Sequence, residues 1–228
     1  QHRVPVILTR PLAQAERFAR SLPAAAKPVF SPLLRIEALE ADRDFAAFDG
    51  LIFTSENGVH AFNQVAPADR RIAYCVGDRT AEAAREAGFL AHSANGTAED
   101  LVALVSRQDF QGRLLHVHGA YVRGDIAAQL GSLDIRIDDV ALYDQVAQPL
   151  SKEAVTLLGE ARSIVTLFSP RTAALFAERC PTAPEAQVIC LSRAVAAALG
   201  GCRYAETSIA QAPNAPAMLA EVSCRVNR

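Results

Sequence analysis

Two serines carry the first hint of chemistry. Ser55 stands in LIFTSENGVHAF (Leu51 to Phe62) and Ser169 in VTLFSPRTAALF (Val165 to Phe176). Each lies between a short apolar run and residues at helical spacing that close on a phenylalanine, Phe62 or Phe176. The apolar run reads as a buried strand, and a serine ahead of a helical stretch accepts a hydrogen bond from an otherwise unpaired backbone N–H. Pro170 follows Ser169 where a missing N–H costs least. Both copies therefore read as strand, tight turn, helix. Neither serine has the histidine and carboxylate context that nucleophile chemistry requires. What they offer is anion binding: the free N–H groups and partial positive charge of a helix start suit carboxylates and phosphates.

Other chemistries have weaker support. His116 and His118, in HVHG, project from one face of a strand as metal ligands can, yet no third ligand lies nearby in the sequence, and no metal is expected. The five cysteines are odd in number and form no CxxC pair, which points to buried reduced thiols rather than a disulfide framework or a zinc ribbon. Neither a P-loop nor a dinucleotide-binding glycine motif occurs. A formal net charge of −2 gives no basic excess for nucleic acid. No apolar run approaches a membrane span, and Val4 to Leu8 is too short for a signal-peptide core, so a soluble cytoplasmic protein is expected.

The elements that must position the serines repeat along the chain. After the first copy comes Tyr74 to Ala81 (YCVGDRTA), leading to an alanine-rich helix that stops at Gly88; after the second comes Ile189 to Ala196 (ICLSRAVA), leading to one that stops at Gly200 and Gly201. Asn95 to Leu101 is answered by Pro213 to Leu219, each opening a last helix. Leu114 to Gly119 begins the second half as Val4 to Thr9 begins the first, with Arg123 after the turn as Arg10 is. The helix after Arg10 and Pro11 is expected to put Leu12, Phe18 and Leu22 on one face. Extended segments recur at Lys27 to Ile36, interrupted by Pro28 and Pro32, and at Asp134 to Val146, ending before Pro149; prolines there favour an edge or a connector.

An imperfect duplication of this length implies two related α/β domains. Strands alternating with helices imply parallel sheets flanked by helices, which bind ligands beyond the carboxyl ends of their strands. Thr9, Ser55, Gly77, Gly119, Ser169 and Ser192 occupy those ends. Two such domains facing each other make an anion-lined cleft. Read from the residues alone, this fits an enzyme or a two-domain cytoplasmic binding or sensor protein that closes on a carboxylate-rich small molecule without chemistry.

The order and spacing of the motifs resemble one family over essentially the whole chain, uroporphyrinogen-III synthase. The resemblance rests on TRP (Thr9 to Pro11), FTSENGVHAF (Phe53 to Phe62), VGDRTA (Val76 to Ala81), TAEDL (Thr97 to Leu101), LLHVHGAYVRGDI (Leu114 to Ile126), LYDQV (Leu142 to Val146) and FSP (Phe168 to Pro170). It implies two flavodoxin-like domains joined by a two-stranded connector. Residues 1–36 and 148–228 are expected to form one domain, and residues 37–147, inserted between, the other, so that the duplication and the spatial domains are out of phase.

The implied reaction is cyclisation of hydroxymethylbilane to uroporphyrinogen III, with loss of water and inversion of the terminal pyrrole ring through a spiro intermediate. No cofactor or metal is implied. A monomer is expected, with the upstream deaminase as a transient partner. Tyr143 matches the family tyrosine that protonates the leaving hydroxyl; the alternative is a tyrosine that packs one domain on the other. Thr80 matches a family threonine at a helix start and reads equally as a local cap. Substrate contacts are implied at Thr9, Arg10, Thr54, Ser55, Asn57 and Gly77, and again at Gly119, Arg123, Ser169, Pro170 and Ser192. Asn57 with Gly58 also reads as turn chemistry, and arginines beside turns as solvated surface. Where some members carry threonines after the last such turn, this chain has Ala194 and Val195, which leaves Ser192 or Arg193 for any polar role there.

Overall fold

The computed structural model describes residues 3–66, 69–108, 110–121 and 124–227. The first half of the chain runs β1 (Val4–Leu8), α1 (Leu12–Ala19), β2 (Ala26–Phe30), β3 (Leu34–Ala38), β4 (Gly50–Phe53), α2 (Glu56–Val65), β5 (Ile72–Cys75), α3 (Asp78–Glu86), β6 (Leu90–Ser93) and α4 (Ala98–Ser106). The second half runs β7 (Leu114–Gly119), α5 (Ile126–Gly131), β8 (Ile137–Ala147), α6 (Lys152–Glu160), β9 (Ser163–Leu167), α7 (Pro170–Arg179), β10 (Thr182–Cys190), α8 (Arg193–Ala197), β11 (Arg203–Ile209) and α9 (Ala215–Val226). The halves match element for element with two exceptions: the single long β8 stands where the first half has β2 and β3, and a short turn of 3-10 helix at Phe45–Ala47 stands where the second half has α6.

Two compact units result, one of Gln1–Arg35 with Val146–Arg228 and the other of Ile36–Gln145. The chain passes from one to the other within β3 and within β8. The discontinuous unit has a five-stranded sheet in the order β11-β10-β9-β1-β2, and the inserted unit a six-stranded sheet in the order β3-β8-β7-β4-β5-β6. Matched through the duplication, β2-β1-β9-β10-β11 and β8-β7-β4-β5-β6 are one order, and β3 is an added edge. Each unit therefore takes its first two strands from one half and its last three from the other. The order is the flavodoxin-like one, with helices between parallel strands.

The local reasons are plain in the sequence. Strands buried on both faces are continuous apolar runs: every residue of β4 and of β9 is buried. Pro28 lies in β2, an edge strand, where the missing N–H leaves no ladder bond broken on the open side. Helix starts are capped by side chains, Thr97 and Asp100 forming a reciprocal capping box at α4. One expectation fails. Leu12 is exposed and Leu22 lies beyond α1, whose buried residues are Ala15 and Phe18; residues six apart do not share a narrow helical face.

Each sheet is covered on both sides. In the inserted unit one face packs Phe53, Phe62, Phe89, Val117 and Leu142, and the other Ile52, Tyr74, Leu101, Leu114 and Ile126. All five cysteines are free thiols. Cys75 and Cys190 are buried, and burial pushes their thiols up to about 12 and about 11, so neither is a reactive thiolate. Cys224, by contrast with the expectation, is exposed. Among the described residues, no helix is long and apolar enough to cross a membrane.

Candidate active site

Of the residues implied for chemistry, Thr54, Ser55, Gly119 and Tyr143 lie towards the carboxyl ends of β4, β7 and β8 in the inserted unit, whereas Thr9, Arg10, Ser169, Pro170 and Ser192 belong to the discontinuous unit. Ser55 follows β4 and caps α2: its Oγ accepts the Asn57 N–H at 3.1 Å. Asn57 thus supplies a backbone donor to the cap, in keeping with the turn reading. Gly58 lets α2 lie close to β7, since a Cβ there would be 3.1 Å from the Val117 carbonyl oxygen. Thr54 and Ser55 are both half-buried.

Tyr143 reaches this corner because β8 is irregular. Val117 pairs with Val140 and His118 with Ala141, but Gly119 pairs with Tyr143, so Leu142 is an extra residue in the ladder. Strict alternation sends neighbours to opposite faces; the bulge buries Leu142 and Tyr143 in the same cluster. The Tyr143 ring lies against Gly119, where a Cβ would be 2.7 Å from one ring carbon and 2.8 Å from another. Only glycine fits. The Ser55 side chain lies beside the phenol. Burial pushes the Tyr143 phenol above its ordinary range, with the nearby Ser55 side chain opposing the effect, so the group holds its proton at neutral pH.

Beside this corner, Gly77 caps α3 without a side chain, and a Cβ on it would meet nothing within 4 Å. Thr80 is buried in that turn. Arg79 is tied to Glu82 at 2.8 Å. Arg123 lies outside the described residues.

In the discontinuous unit, Thr9 is fully buried and donates its hydroxyl to the Thr166 carbonyl at 2.8 Å, joining β1 to β9. Its side chain is structural rather than a ligand. Arg10 is half-buried, its guanidinium 4.4 Å over the Phe168 ring and its Nε donating to Gln14 at 3.2 Å. Such a pre-positioned guanidinium suits a carboxylate. Ser169 accepts the Thr172 N–H at 3.1 Å to cap α7, with Pro170 in its first turn; Ser192 accepts the Val195 N–H at 3.4 Å to cap α8.

On the opposite face of the inserted sheet, His116 and His118 border a cavity of about 210 Å³ together with Asp125 and Asp139. Among the described residues, no group of three or more His, Cys, Asp or Glu side chains could hold a metal ion. His116 is buried with Nε2 unpaired, and burial, reinforced by the neighbouring His118, holds its pKa down to about 4 from 6.5. The unfolded chain therefore takes up this proton first as pH falls. The stability present above 6.5 is lost on the way to about 4. The expected loss is on the order of 3 kcal/mol, read as a falling urea midpoint between pH 7 and 4.5 that His116→Leu flattens. An unchanged slope in the variant would remove His116 as the cause.

The comparisons with known proteins point to one family and one fold. The family model for uroporphyrinogen-III synthase HemD matches residues 18–220. A uroporphyrinogen-III synthetase structure from Helicobacter pylori matches with a TM-score of 0.69 and 16% identity, covering 99% of this chain and 100% of that one. A mutant uroporphyrinogen III synthase from Thermus thermophilus matches with a TM-score of 0.56 and 16% identity, covering 98% of each chain. At these identities the structures share a fold. No curated protein matches the sequence.

Proposed function

The chain belongs to the uroporphyrinogen-III synthase family, and we propose how its residues carry the family reaction. Members are cyclising lyases of tetrapyrrole and heme biosynthesis. They close hydroxymethylbilane to uroporphyrinogen III with loss of water and inversion of the terminal pyrrole ring. An enzyme reading is favoured over a binding or sensor protein without turnover.

Tyr143 is the acid that protonates the leaving hydroxyl. The observation that carries this is the placement of its ring, brought by the bulge of β8 against Gly119 and beside Ser55 at the carboxyl end of β4, with the phenol kept neutral by burial. The pyrroles are electron-rich, so water leaves once the hydroxyl is protonated, and the protein must otherwise hold a folded geometry and prevent direct closure to the type I isomer. Ser55, beside the phenol, is held in place by the Asn57 N–H that its oxygen accepts. The test is Tyr143→Phe, read as kcat against product affinity: a loss confined to kcat supports the acid role, and equal loss in both, or none, removes it.

The acetate and propionate carboxylates take backbone N–H groups at the starts of α2, α3 and α7, with Ser169 shaping the last of these and Ser192 the turn into α8. Arg10 adds a charged contact. Arg10→Ala is expected to raise KM by about 3- to 10-fold with kcat little changed, because a carboxylate contact made in both ground and transition states is uniform binding. Steady-state kinetics check it; a fall in kcat with constant KM would contradict it. The same reading makes the enzyme cytoplasmic and monomeric, taking its substrate from the upstream deaminase.

A further inference from the structure

We propose that His118 is a positioning residue for Tyr143, acting through the peptide between Gly119 and Ala120; the inference rests on Tyr143 as the acid. His116 and His118 alternate with Leu115 and Val117 along β7 and so face away from the cluster that holds Tyr143. His118 nevertheless reaches the tyrosine through the backbone. Its Nδ1 lies 2.8 Å from the Gly119 carbonyl oxygen, and its Nε2 lies 3.1 Å from Asp139 Oδ2. A carbonyl and a carboxylate only accept, so in each contact the ring nitrogen donates when it carries the proton.

The same peptide is held from its other side. The Ala120 N–H donates to the Tyr143 carbonyl at 2.8 Å. Both polar groups of one peptide are thus engaged, one by His118 and one by Tyr143. The Gly119 Cα also forms the floor under the Tyr143 ring, at the 2.7 Å approach that admits no Cβ. This happens at the bulge, where the regular ladder is interrupted between His118 and Gly119 and cannot by itself fix the peptide plane. Asp139 orients the imidazole, and it sits on β8, the strand that carries Tyr143. The chain from Asp139 through His118 to the Gly119 carbonyl therefore sets the height and tilt of the surface on which the phenol rests.

The test uses His118→Leu, which cannot donate, and His118→Asn, whose amide can replace Nδ1 toward the Gly119 carbonyl but cannot reach Asp139. Each is made alone and with Tyr143→Phe. His118→Leu is expected to lower kcat about tenfold with KM changed less than about twofold, the cost of a misaligned acid, while His118→Asn recovers most of the rate. With the phenol gone, His118→Leu should cost little more, since the two act as one unit. Asp139→Asn, at a mostly exposed side chain, gives a milder loss of the same kind and covers the case in which His118→Leu folds poorly. An unchanged kcat in both His118→Leu and Asp139→Asn, or a loss of equal size with and without the phenol, overturns the inference while leaving Tyr143 as the acid. A harmless Tyr143→Phe overturns the acid reading itself, and this inference with it.

Discussion

Tyr143→Phe is expected to lower kcat by about 10²- to 10³-fold, the usual contribution of a positioned general acid. KM and product affinity should change little, because phenylalanine keeps the ring that packs on Gly119. Lost stability should be at most about 1 kcal/mol, since the Ser55 oxygen retains the Asn57 N–H after the phenol is gone. The product should also change: slower protonation gives spontaneous closure time to compete, so the type I isomer rises. In the wild-type enzyme, kcat should show no alkaline fall from this group below about pH 10, because burial moves the phenol upward from its ordinary range. Rapid-mixing kinetics with separation of product isomers check these outcomes. A variant with normal kcat would return Tyr143 to a packing role.

Gly119→Ala should be nearly as damaging without touching any catalytic group. The new methyl would stand 2.7 Å and 2.8 Å from two Tyr143 ring carbons, closer than van der Waals contact allows. The floor cannot drop easily, because its carbonyl is held by His118 and the next N–H by the Tyr143 carbonyl. The ring must move instead. A displacement on the order of 1 Å is worth about 10²-fold in rate, and overpacking of this kind costs about 1–3 kcal/mol of stability. The two effects separate experimentally: urea denaturation reads the second, and kcat at a temperature well below unfolding reads the first. In combination with Tyr143→Phe the rate losses should be far less than additive. An active Gly119→Ala enzyme would mean that the ring position seen here does not govern the reaction.

Much of this architecture is legible in the sequence, and the parts that are not share a physical cause. Ser55, Ser169, Thr97 and Asp100 announce their helix starts because capping is a contact between residues two or three apart. The apolar runs of β4 and β9 announce buried strands for a similarly local reason. The exchange of strands between halves is invisible locally, since Val6 pairs with Ile164 and only the ladder records it. Thr9 at a strand end suggests a ligand; in the structure its hydroxyl is engaged by a carbonyl far along the chain. Alternation along Val140 to Tyr143 places Leu142 and Tyr143 on opposite faces, and the bulge overrides it. The meeting of Tyr143 with Ser55, and of His118 with Asp139, depends on that bulge and on strand register, which no short motif encodes.

The most direct measurement is the isomer ratio formed from freshly generated hydroxymethylbilane, with the products oxidised to uroporphyrins and separated by chromatography. Spontaneous closure gives type I and serves as the internal control. The expected result is enzyme-dependent type III product with no metal or nucleotide added, and its replacement by type I as Tyr143 is changed to phenylalanine. Type I alone, at the rate seen without enzyme, would contradict the assignment of this site to the synthase reaction.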